Sequence, residues 1–93
     1  MKPNLERSVL TQLLIYPEKA DAVTVEPEVF GDYRNREIYT AIKRLSSKKL
    51  PFNDPELLAS EIGEKLSAIG GMGYIADLLS WESKPENLHI YIE

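Results

Sequence analysis

Few residues in this chain have the chemistry for catalysis. His89 is the single histidine, and there is no cysteine. Disulfides, thiolate zinc sites and cysteine nucleophiles are therefore excluded. A Ser-His-Asp triad or a histidine zinc site is impossible or incomplete with one imidazole, and His89 reads as a surface or rim residue. Gly70-Gly71-Met72-Gly73 has the composition of a phosphate-cradling loop, but no Gly-Lys-Ser/Thr follows it and no strand precedes it. It reads as a helix C-cap joined to a close helix–helix approach. Glu26 and Glu28 flank Pro27 and cannot share a helical face. Glu61 and Glu64 can share one, with neither a metal nor a general-acid partner beside them. A small nuclease or nucleotide hydrolase has no constellation to work with. No catalytic, cofactor-binding or metal-binding residue is predicted.

Two sets of residues have the chemistry for binding instead. Residues 33–49 hold Arg34, Arg36, Lys43, Arg44, Lys48 and Lys49 against one acid, Glu37. This stretch suits an acidic partner surface or passing single-stranded DNA. Dipole complementation and solvation are the competing account. No exposed aromatics interleave with the cations, so a base-stacking platform is unsupported. The second set is Tyr74, Leu78, Trp81 and Tyr91, residues of the kind that anchor protein interfaces. Ordinary core packing competes for them.

The elements that must position these residues are helical by pattern. Six helical segments are expected and no convincing strand, an all-α chain. The first runs from about residue 4 to 15, with Asn4 as N-cap and Leu5, Val9, Leu10, Leu13 and Leu14 on one face. Pro17 opens a short second segment through about Val23. Val23-Thr24-Val25 is strand-like by propensity but has no partner to pair with. Pro27 opens a single turn ending at Phe30-Gly31, with Gly31 suited to a left-handed C-cap. The strongest helix spans about Tyr33 to Ser47, burying Ile38, Ala41, Ile42 and Leu45 with Tyr39 beside them. A fourth helix starts at Asn53 as N-cap, buries Leu57, Leu58 and Ile62, and stops at Gly63. Leu66 and Ile69 belong to a connecting turn. A fifth helix covers about Met72 to Trp81. Pro85 restarts the chain into a sixth amphipathic segment that carries Leu88, Tyr91 and Ile92.

The totals agree with one small domain. The chain has 93 residues, 43% of them hydrophobic and 28% charged. A core this thin often gains stability from self-association. Net charge is −4 and uneven: residues 1–50 carry nine basic and seven acidic side chains, residues 51–93 two and eight. Such an acidic domain is ill suited to strong, independent binding of a phosphate backbone. The charge polarity can orient like subunits or attract a basic partner, or simply be a solvated surface. No apolar run approaches the roughly 20 residues of a membrane-spanning helix, and the first residues carry no signal-peptide core. With no cysteine, a reducing cytoplasm is the expected setting.

Three short patterns then stand in order. The first is Glu6-Arg7-Ser8-Val9-Leu10. The second is Phe30, then Asn35-Arg36-Glu37-Ile38-Tyr39. The third is Gly70-Gly71-Met72-Gly73-Tyr74-Ile75, closed by Asn87 and Tyr91. In this order and spacing they resemble the N-terminal domain of DnaB-type replicative DNA helicases, from about Leu5 to Tyr91. Asn35 replaces that family's usual histidine, and Asn53 its usual aspartate ahead of a helix. The resemblance implies a compact helical head, about residues 4–82, leading into the first arm of a helical hairpin, about residues 85–93, apparently truncated. It implies a non-catalytic assembly and partner-binding module. Such domains form a collar on a hexameric ATP-driven motor and dock the primase and, in some systems, the loader. ATP and Mg, and most of the DNA contact, would belong to the missing motor domain. The alternative is a free-standing or primase-type adaptor that binds a helicase in trans.

Overall fold

Proline sets the frame of this molecule. The computed structural model describes residues 2–80, which form α1 (Pro3–Ile15), two 3-10 turns (Pro17–Ala22 and Pro27–Val29), α2 (Tyr33–Ser47), α3 (Pro55–Ile62), a third 3-10 turn (Gly63–Lys65) and α4 (Gly71–Ser80). Four of these elements begin on a proline. At the first helical position proline's fixed φ is already helical, and its missing N–H would have had no intrahelical partner. No strand occurs among the described residues, as the all-α reading expects. The sixth expected segment lies outside the described residues.

α1 is the central helix. Seven consecutive residues from Ser8 to Leu14 are buried, together with Glu6. α2, α4 and the Pro17–Ala22 turn pack around it, and α3 packs against α2 and α4. Val9, Leu10, Phe30, Ile38, Ile42 and Leu58 are fully buried where these elements meet. Each such side chain contributes roughly 1.5–3 kcal/mol by leaving water. Phe30 and Tyr39 stack with ring centroids 4.5 Å apart, joining the loop before α2 to the helix itself. α2 spans Tyr33–Ser47 with Ile38, Tyr39, Ala41, Ile42 and Leu45 buried, the range and face that its apolar spacing predicts.

The caps of α1 and α3 differ from expectation, by two residues and by one, and proline is the reason. α1 begins at Pro3 with Lys2 before it and no side-chain cap, so Asn4 is already helical; its Oδ1 accepts from Arg7 Nη2 instead. α3 begins at Pro55, so Asp54 and not Asn53 is the cap. The Asp54 carboxylate accepts from the Glu56 N–H at 3.0 Å. Gly31 does not adopt the left-handed conformation; its N–H is held by a side chain from α1. Gly63 does end α3, at φ 69°. The Gly70-Gly71 break is sharper than a simple cap. Both residues have positive φ, 105° and 69°. A Cβ on Gly70 would stand 3.0 Å from Tyr74 Cβ, so the close approach is to the first turn of its own following helix, α4.

Candidate functional site

The three sequence patterns converge on one buried knot. Glu6 of α1 is fully buried. Its Oε2 accepts from the Gly31 N–H at 2.6 Å. Its Oε1 accepts from the Asp32 N–H at 3.3 Å and from Asn35 Nδ2 at 2.9 Å. Asn35, also fully buried, uses its other side-chain atom: Oδ1 accepts from the Tyr74 hydroxyl of α4. A carboxyl group of α1 thus holds the loop that enters α2, and the first turn of α2 holds α4. Thr11 adds a second tie, donating from Oγ1 to the Leu78 carbonyl at 2.7 Å.

The chemistry explains the residue types. Gly31 and Asp32 present backbone N–H groups just ahead of a helix, where donors lack intrahelical partners. Only an acceptor with two oxygens can serve both N–H groups and the amide. Asn35 must donate to one neighbour and accept from another, which a side-chain amide does. A neutral imidazole carries the same pair of functions, so Asn35 can stand where the resemblance has histidine.

Cations close the knot from outside. Arg34 meets the Asp32 carboxylate side-on, Nε to Oδ1 at 3.2 Å and Nη2 to Oδ2 at 2.9 Å. Its guanidinium also lies over the Tyr74 ring, 4.6 Å from the centroid. The Arg34 hydrogen bond holds the Asp32 carboxyl below its usual range, against the opposing effect of burial. That same bond raises the Arg34 pKa. Burial pushes the Tyr74 phenol up, with Arg34 pulling the other way. Arg36 donates to the carbonyls of Phe30 and Gly31 at 3.0 and 3.3 Å, so both sides of the loop backbone are tied.

The predicted binding residues divide accordingly. Arg34 and Arg36 serve the loop before α2. Lys43 donates to the carbonyls of Ala20 and Val23 at 3.3 and 2.8 Å. Lys48 pairs with Glu61 at 3.1 Å. Arg44 and Lys49 are exposed. They are left for outside contact, with no side-chain partner among the described residues. Of the aromatic set, Tyr74 is 8% exposed and Leu78 1%; both belong to the core of this domain, the reading that competed with an interface. Trp81 and Tyr91 lie outside the described residues. So does His89.

Sequence reasoning quoted Glu6, Asn35 and Tyr74 as pattern residues but did not see them as one network. A signal was present. Glu6 stands three and four residues before Val9 and Leu10, and Asn35 stands three and four before Ile38 and Tyr39. A polar residue that continues an apolar stripe at helical spacing is a buried polar residue, which needs a partner.

No group of acids and histidines among the described residues could hold a metal, and no helix among them is long and apolar enough to cross a membrane. A family model described as the DnaB-like helicase N terminal domain matches residues 1–93. Among solved structures, the chain is similar to the crystal structure of the N-terminal domain of DnaB helicase from Mycobacterium tuberculosis, with a TM-score of 0.86 and 26% identity. That match covers 99% of this chain and 66% of the other, so the chain spans a little under two thirds of that structure's length. Comparison with curated proteins finds no match.

Proposed function

The chain belongs to the DnaB-like helicase N-terminal domain family, and from that premise we propose that it is the non-catalytic assembly and partner-binding module of a replicative DNA helicase. On this reading it helps build the collar of the hexamer and offers a docking face to primase or a loader in the cytoplasm, while ATP and Mg are used by a motor domain elsewhere in the parent protein. The observation that carries the reading is the family match along all 93 residues. The buried knot supports it in a second way. It consumes one polar side chain from each pattern internally, Glu6, Asn35 and Tyr74, so these serve the scaffold and leave recognition to the surface. A weak contact of Arg44 and Lys49 with single-stranded DNA accompanies the main role.

The test is association. Light scattering compares the 93-residue chain with a longer one that completes the helical hairpin, each alone and mixed with the helicase-binding region of the host's primase. The longer chain is expected to self-associate more strongly and to retain the primase fragment. A completed hairpin that stays monomeric and ignores primase would overturn the proposal.

A further inference from the structure

We draw no further inference here: the strongest candidate, the surface at the neighbouring starts of α2 and α4, where Arg34 lies over the Tyr74 ring and Tyr33 and Met72 are 43% and 42% exposed, carries no proposal because nothing in the structure shows what covers it.

Discussion

The two ends of α2 are held in opposite ways. At its N-terminal end, a buried carboxyl group, a buried amide and a phenol meet at hydrogen-bond distance, and Arg34 and Arg36 are spent on the adjoining loop. At its C-terminal end, Lys48–Glu61 is an exposed pair, and Arg44 and Lys49 have no side-chain partner among the described residues. A further exposed pair, Lys65–Glu37 at 3.4 Å, ties the Gly63–Lys65 turn to α2 between those ends. Exposed pairs of this kind contribute roughly 0–1 kcal/mol each. Buried hydrogen bonds contribute about 1 kcal/mol each, and the loss of one partner leaves the other desolvated at a further cost of about 1–3 kcal/mol. One helix thus carries a structural end that tolerates little change and an exposed end free to serve a partner.

The largest break in this contrast should come from Glu6→Ala. It leaves the Gly31 N–H and the Asn35 amide without their acceptor and opens a cavity in α1. A loss of about 3–5 kcal/mol is expected from unsatisfied donors plus cavity, a large share of a small domain's stability. Urea denaturation measures it. A midpoint within experimental error of the unaltered chain would mean that the knot does not hold the loop.

Gly70→Ala comes next. The backbone there has φ 105°, and an added Cβ would press on Tyr74 Cβ at 3.0 Å, displacing the residue that completes the knot. The cost should be about 2 kcal/mol, from backbone strain and steric shift together. Gly71→Asn is the control: its φ is 69° and nothing lies within 4 Å of the added Cβ. Asparagine tolerates that conformation, so it should cost well under half as much. Equal losses at the two positions would remove Tyr74 from the explanation.

Tyr74→Phe should cost about 1–2 kcal/mol at neutral pH, because Asn35 Oδ1 loses its donor while buried. The pH dependence gives a sharper reading. Burial raises the Tyr74 pKa above its ordinary 10.0, so the fold favours the neutral phenol. Its contribution is complete below pH 10 and is lost as pH rises through the raised folded value. Tyr39 behaves in the same sense. The unaltered chain should therefore lose stability on the alkaline side, and Tyr74→Phe should lose it less steeply. Parallel curves for the two chains would contradict the assignment.

These residues also show what the sequence makes legible. Helical periodicity located α2 and its buried face, because a helix at this spacing depends on neighbours three and four apart. The caps of α1 and α3 were displaced, by two residues and by one, because Asn4 and Asn53 are good caps in isolation, whereas Pro3 and Pro55 fix the first helical position outright. The Glu6–Asn35–Tyr74 contact was hidden for a different reason. It joins positions 29 and 39 apart in sequence, a separation over which local pattern carries no distance. The type of each residue announced a buried polar group; the identity of its partner needed the packing of three helices. Among the basic residues, sequence gave charge but not employment. Lys43 looks like Arg44 in a list of cations, yet one is fastened to two carbonyls and the other has no side-chain partner among the described residues.

The smallest effect on stability, and the most direct test of the exposed end, is the double substitution Arg44→Glu with Lys49→Glu. Surface changes away from pairs and caps usually stay within about 0.5 kcal/mol per site, and Glu at position 49 keeps the left-handed backbone that Lys49 already bears at φ 58°. The folded fraction should hardly change. Binding of a short single-stranded oligonucleotide should change much more. Each phosphate neutralised adds about 0.7 to the slope of log affinity against log salt, so loss of both cations should flatten that slope by about 1.4. An unaltered slope would return Arg44 and Lys49 to the solvated surface. The proposed DNA contact would fall with it, while the family assignment and the buried knot at the other end of α2 would stand.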